Sequence, residues 1–341
     1  MSDRYARQVL FYGIGEQGQK KLTEKTAGLV GCGALGCTSA NLLVRSGLKC
    51  LKIIDRDYIE ESNLQRQSLF DEEDISKNLP KAVAAQRKLQ KVNSRVQIDA
   101  VVADINASNI EPLLENADII IDGTDNFETR FLINDYCVKR GIPWIYGACI
   151  GSIGLAMNIV PSKTPCLRCM LDTIPLPGTI ETCDTEGIIA PIASMIASIQ
   201  VAEALKILTD NYETLSKGLL KIDLWRNEIK SLHTDDIREK SDCVTCKQHK
   251  YEFLTKDKYS ITTSLCGRNS VQVLHPNGYK LDLKKLATRL ERVGDITSNK
   301  FMLRIKIDKY ELTVFPDGRA IITGTNDASV AKGLYAKYIG M

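Results

Sequence analysis

The sequence predicts an α/β fold, a Rossmann-like sheet with helices on both faces, followed by a small C-terminal α+β module. Two observations carry this. From Thr26 onward short apolar runs alternate with amphipathic stretches, and Gly31-Cys32-Gly33-Ala34-Leu35-Gly36 stands between one such run and a helical one. Strands separated by helices of this length form a parallel sheet covered on both faces.

In order, residues 26–30 read as a strand, 31–36 as a turn and 35–46 as a helix stopped at Gly47. Residues 50–55, 98–103, 119–122 and 144–147 are further strands, with helical spacing over 81–92 and 127–139 between them. After Ile150 the period changes. Residues 151–160 suggest a longer strand, 164–187 are irregular and cysteine-bearing, and 188–208 form a long apolar helix. An antiparallel pair is expected over 219–225 and 228–233. The rest has strand runs at 270–274, 302–307, 312–315 and 320–323 and helical stretches at 283–292 and 328–337. Pro316-Asp317-Gly318 between alternating runs is a hairpin signal, and Asp327 suits a helix cap.

A chain of 341 residues is long for one core and suggests two domains, taken as 1–249 and 250–341. Hydrophobic residues at 44% and charged residues at 26% match ordinary globular composition, so folding throughout is expected. The 45 basic and 42 acidic residues are interspersed, which argues against a nucleic-acid or membrane-surface partner and makes any anion site local. Residues 1–8 are charged and lack an apolar h-region, and no uninterrupted apolar run approaches the roughly 18–20 residues of a bilayer span. A cytoplasmic protein is expected, in which the eleven cysteines serve as thiols, metal ligands or reactants.

A glycine-rich turn between strand and helix lets the backbone approach a phosphate, while the helix N-terminus offers unpaired N–H groups. Gly31, Gly33 and Gly36 are placed for this, and Asp55, about twenty residues on, sits where a carboxylate would bond a ribose hydroxyl. The loop alone leaves NAD, FAD, S-adenosylmethionine and ATP open. An NAD-dependent dehydrogenase is the natural competitor, though His233, His249 and His275 stand in no suggestive setting. A Walker loop is absent.

Cys166-x-x-Cys169 and Cys243-x-x-Cys246 place paired thiolates on tight turns. Four thiolates make a closed tetrahedral Zn²⁺ site, structural because it has no open position, so the fold is read as zinc-stapled. Two unrelated redox pairs are the bland alternative, and His249 is a lesser candidate ligand. Cys32, Cys37, Cys50, Cys137, Cys149 and Cys266 read as small core residues.

Further segments extend the pattern: Arg4-Tyr5-x-Arg7-Gln8, Asp55-x-Asp57, Asn63-Leu64-Gln65-Arg66-Gln67, Pro80-Lys81 and Thr124-Asp125-Asn126. With the glycine loop, in this order and spacing, they resemble the MoeB/ThiF/HesA family, prokaryotic relatives of the ubiquitin-activating enzymes. The resemblance covers roughly residues 2–246; Ala34 stands where many members carry glycine.

The resemblance implies an adenylyltransferase that uses ATP and Mg²⁺ to activate the C-terminal glycine of a small ubiquitin-like sulfur carrier ending in Gly-Gly, releasing pyrophosphate. Attack of a carboxylate on the α-phosphate joins two anions and needs positive charge where negative charge develops. In the family the position of Arg66 contacts phosphates, that of Lys81 bridges phosphate and carboxylate, and that of Asn63 holds the nucleotide. The position of Arg7 reaches the nucleotide from the other subunit, implying a homodimer. Asp125 matches the Mg²⁺-binding aspartate, with Asp57 assisting, although an aspartate there also suits a helix cap. Cys183 matches the crossover-loop cysteine, which some members use in a covalent sulfur relay and others do not need. A sulfur-donor protein is an implied partner. Activation of a peptide or tRNA-linked carboxylate, and a nucleotide-sensing zinc scaffold, stay open beside this reading.

Overall fold

In the computed structural model, residues 3–174, 186–255, 262–265, 269–274 and 281–340 are described. Contacts divide the chain into two compact units, one ending at Lys256 and one that runs on from Asp257.

Strand β1, Thr26–Val30, is buried along its whole length, as a central parallel strand must be. It pairs in parallel with β2, Cys50–Asp55, and with β4, Ile119–Asp122. Beyond β2 lies β3, Gln97–Val102, and beyond β4 lies β5, Trp144–Ile150, both parallel to their neighbours. The sheet then turns antiparallel through β6 (Ile153–Ile159), β7 (Leu219–Asp223) and β8 (Glu228–Leu232), giving the order β3-β2-β1-β4-β5-β6-β7-β8. The predicted strands are present with ends moved by a few residues. The switch at β6 follows from a tight connection at Gly151, whose φ of +56° suits a residue without Cβ.

The first helices are short: α1 (Ala6–Val9) and α2 (Gly15–Leu22) precede β1. Then come α3 (Ala34–Ser46), α4 (Glu72–Ser76), α5 (Lys81–Val92), α6 (Ile110–Leu114), α7 (Phe127–Arg140), α8 (Leu167–Met170) and α9 (Ala190–Leu208). Helices α3, α5 and α9 lie together against the sheet. On the opposite face α6 and α7 pack a separate cluster around Phe131, Tyr136, Trp144 and Ile159. Helices α10 (Asp235–Lys240) and α11 (Glu252–Thr255) close this unit, the latter against α7.

By length and hydropathy α9 qualifies as a membrane span. Its packing is that of a core helix: Ile192, Ala193, Ile196 and Ala197 are fully buried. Buried Gln200 donates from Nε2 to the carbonyls of Asp122 (2.9 Å) and Ile145 (3.0 Å), tying the helix to β4 and β5.

The second unit is an antiparallel sheet in the order β11-β12-β13-β14-β10-β9. Its strands are β9 (Thr262–Leu265), β10 (Ser270–Val273), β11 (Asp295–Ser298), β12 (Leu303–Ile307), β13 (Tyr310–Val314) and β14 (Ala320–Thr323). Leu286 and Leu290 of α12 (Leu283–Leu290) and Ala331 and Tyr335 of α13 (Ala328–Tyr338) join its core. The predicted Pro-Asp-Gly hairpin links β13 and β14, and Asp327 caps α13 through the N–H groups of Ser329 and Val330.

Three glycines bring β1, α3 and the β4 loop into backbone contact. A Cβ on either Gly36 or Gly123 would collide with the carbonyl oxygen of Gly31, and one on Gly31 with the carbonyl of Gly123. The Gly36→Ala variant therefore forces α3 off β1, at a cost of about 1–3 kcal/mol typical of overpacking. A lowered urea midpoint is the expected readout; an unchanged midpoint would show that the two backbones are not held at this separation.

Candidate active site

Gly33 is the N-cap residue of α3 and supplies no side-chain cap, so the first N–H groups of a thirteen-residue helix point out of the fold beside the loop. Unpaired amides and the positive dipole end make this an anion site. Asp55, at the end of β2, fixes the loop from beneath. Its Oδ2 accepts from the Cys32 N–H (2.6 Å) and its Oδ1 from the Asp57 N–H (2.7 Å). Burial pushes the Asp55 carboxyl up from the usual carboxylate range, Asp57 adds to this, and Lys81 opposes it.

Lys81 opens α5 after Pro80, and its side chain is buried. Its backbone N–H donates to the Asp57 carbonyl (2.9 Å), and Nζ lies 3.4 Å from Asp57 Oδ2. The ammonium therefore lies against the Asp57 carboxylate at the end of β2, close enough to act on the charge of Asp55. Asn63 ends the turn Glu61–Asn63, with Oδ1 accepting from the Glu60 N–H at 3.1 Å. That bond locks the turn carrying Arg66 and Gln67. Gln67 faces Gly33, and half-buried Arg66 donates Nη1 to the Ser62 carbonyl at 2.8 Å.

The third side comes from the end of β4. Asn126, not Asp125, caps α7, its Oδ1 accepting from the Thr129 N–H at 2.9 Å. Of the two readings of Asp125, the structure excludes the cap: its carboxylate is exposed in the loop that packs, through Gly123, on Gly31. Beneath it lies a pair that the sequence reading missed. Asp122, wholly buried, accepts from Arg130 Nε (3.0 Å) and from the Thr124 N–H (2.9 Å), while Arg130 Nη2 donates to the carbonyls of Thr124 (2.7 Å) and Gly147 (3.0 Å). This shapes the loop bearing Asp125. The available signal was an apolar strand ending in Asp, as β2 does, with arginine eight residues on.

Arg7 is not brought to this place. Arg4 bonds the Val92 carbonyl, Gln8 the Ser46 carbonyl, and the Tyr5 ring packs on Gly47, so the N-terminal segment lies at the far end of α3. That helix is about 20 Å long at about 1.5 Å per residue. Exposed Arg7 therefore stands far from the glycine loop of its own chain.

The two Cys-x-x-Cys pairs do converge. Sγ atoms of Cys166 and Cys169 are 3.8 Å apart, of Cys166 and Cys243 3.6 Å, and of Cys169 and Cys246 3.4 Å. All four lie within 4.8 Å of one another and could hold a metal ion. An ion bound by four thiolates at about 2.3 Å sets sulfur–sulfur edges of roughly 3.8 Å, close to these separations. Buried Asp135 orients the second pair from α7, accepting from Thr245 Oγ1 and from the Phe253 N–H, both at 2.9 Å. His249 stands apart from the set, facing the Tyr251 hydroxyl. Cys32, Cys37, Cys50 and Cys137 are buried, as expected of core residues, and Cys149 is half-buried. Cys183 and Cys266 lie outside the described residues.

The profile described as the ThiF family matches residues 5–245. The chain is 45% identical, over the full length of both proteins, to the sulfur carrier protein ThiS adenylyltransferase of Bacillus subtilis. It is 34% identical to the SAMP-activating enzyme E1 of Haloferax volcanii, over 72% of this chain and 88% of that protein. Among solved structures it resembles Escherichia coli MccB with ATP, with TM-score 0.60 and 27% identity, covering 69% of this chain and 72% of that one.

Removing Arg130 while leaving Asp122 buried strands a charge. The Arg130→Ala variant is expected to lose about 3–5 kcal/mol of stability. Chemical denaturation measures it, and a loss under about 1 kcal/mol would contradict the role given to this pair.

Proposed function

Because the chain belongs to the ThiF family, we propose that it adenylates the C-terminal glycine carboxylate of a ubiquitin-like sulfur carrier with ATP, preparing that carrier for thiocarboxylate formation. One observation carries the reading. Lys81, Asp55 and Asp57 meet beside an uncapped helix N-terminus, in a chain matched end to end by a ThiS adenylyltransferase. The carrier is accordingly a ThiS-like protein with a Gly-Gly tail.

In this reading Asp55 holds the ribose and the amides after Gly33 receive phosphate, with Gly31 and Gly36 allowing close approach. Asn63 keeps the turn of Arg66 in place. Lys81 and Arg66 balance the charge that grows when the tail carboxylate attacks the α-phosphorus, forming the acyl–phosphate bond as the bond to pyrophosphate breaks. Asp125, with Asp57, would hold Mg²⁺, whose contribution is to neutralise phosphate oxygens. Cys166, Cys169, Cys243 and Cys246 would hold Zn²⁺ as a structural ion. The unit that ends at Lys256 would act as the adenylyltransferase domain, a few residues longer than the expected 1–249, and the unit from Asp257 as an accessory domain. Arg7, distant from its own loop, would serve the nucleotide of a second copy in a homodimer. Cys183 would accept sulfur from a donor protein. The likeness to MccB, solved with AMPCPP and MccA, leaves activation of a peptide carboxylate as a second reading; the full-length match favours the carrier.

ATP–pyrophosphate exchange tests this directly. Exchange dependent on a Gly-Gly carrier is expected, and Lys81→Ala should lower it about 10²–10³-fold, the usual effect of losing one transition-state donor. Exchange that ignores the carrier, or NAD reduction in its place, would refute the proposal. Chelation of zinc is expected to lower the melting temperature without altering the ATP KM of the surviving fraction; a melting curve indifferent to chelator would remove the metal from the fold.

A further inference from the structure

An ion pair stands beside the Asp55 carboxylate. Arg56, between Asp55 and Asp57, lies largely buried and points its guanidinium at Asp104, with Nη1 2.8 Å from Oδ1; Nε lies 3.9 Å from Asp57. Asp104 follows β3, whose last residue, Val102, registers with Asp55. The Ala103 N–H bonds the Asp55 carbonyl at 3.3 Å, so the ends of β2 and β3 form one edge.

The geometry of the nucleotide follows from the sheet. Phosphates sit over the start of α3, above β1, and the ribose over Asp55, at the end of β2. With the β4 loop already closing the phosphate side, the base extends the other way, over the end of β3. Asp104, paired with Arg56, places a carboxylate at that end.

Its setting is that of a fixed reader. The backbone carbonyl of Asp104 accepts from both Asn106 Nδ2 (3.1 Å) and Asn109 Nδ2 (2.8 Å), and the Asn109 Oδ1 accepts in turn from the Asn106 N–H (2.8 Å). Arg56 pins one carboxylate oxygen. A carboxylate offers about four acceptor sites, so an oxygen bonded to arginine still takes other donors. A carboxylate held against a guanidinium is acceptor-only: it favours an exocyclic amine and disfavours a carbonyl at the same point.

We propose that Asp104 reads the base of the bound nucleotide, accepting from the 6-amino group of adenine and rejecting 6-oxopurines, with Arg56 as the residue that positions it. The inference rests on the nucleotide site argued above and assigns its specificity. A site built to bond an N–H discriminates strongly against the analogue that lacks it, because the buried acceptor then faces another acceptor.

Equilibrium binding of ATP and ITP to the full-length protein, by calorimetry, tests it without requiring turnover. The wild-type protein should bind ATP at least tenfold tighter than ITP. Asp104→Asn, whose amide can donate to the 6-oxo group, should cut that ratio at least tenfold. Arg56→Ala should cut it several-fold, and Arg56→Lys should restore most of it. A ratio unchanged within twofold in both Asp104→Asn and Arg56→Ala, with only the melting temperature lowered, would reduce the pair to a structural tie. A wild-type ratio near one would overturn the proposal outright. Pyrophosphate exchange run in parallel scores adenylation separately: its failure with intact ATP preference would sink that reading and leave the base reader standing.

Discussion

Everything chemical in this protein depends on a contact between backbones. Gly31, Gly36 and Gly123 bring the end of β1, the first turn of α3 and the loop after β4 closer than any side chain would permit. Close approach sets the first turn of α3 beside the loop that carries the exposed Asp125. Because side chains at the three positions would meet backbone rather than flexible atoms, the arrangement has little room to adapt.

Around that contact the fold buries charge of both signs. Lys81 lies against Asp57, Arg56 against Asp104, and Arg130 against Asp122. Such pairs contribute little net stability once desolvation is counted, but they hold a fixed geometry. Each of the three sits where a strand of the parallel half ends, so the side chains around the proposed nucleotide site cannot swing out into water without stranding a partner. This is the preorganisation that the joining of two anions requires.

What the sequence disclosed follows from how local each signal is. The runs at β1, β2 and β4 were readable to the residue because burial on both faces leaves mostly apolar positions, and α5 because its apolar residues recur at helical spacing. The four cysteines were legible because chelation imposes spacing that packing does not. The Asp122–Arg130 pair was hidden, since an arginine within a helix reads as solvated until the fold shows a carboxylate and two carbonyls around it. The short helices α2 and α6 and strand β11 carry too little periodicity to separate from loop. Asp125 could not be told from a cap because the deciding fact, that Asn126 bonds the Thr129 N–H, is a choice between neighbours.

Helix α9 has a consequence for how the chain is made. Apolar on nearly every side, it has the composition of a bilayer-crossing segment. Yet the elements it packs on most heavily, α3, β4, β5 and β6, all precede it in sequence. As synthesis proceeds from the N-terminus, the greasy surface therefore leaves the ribosome after its landing site has been made, and the interval in which it must stand naked in water, or be mistaken for a membrane anchor, is short.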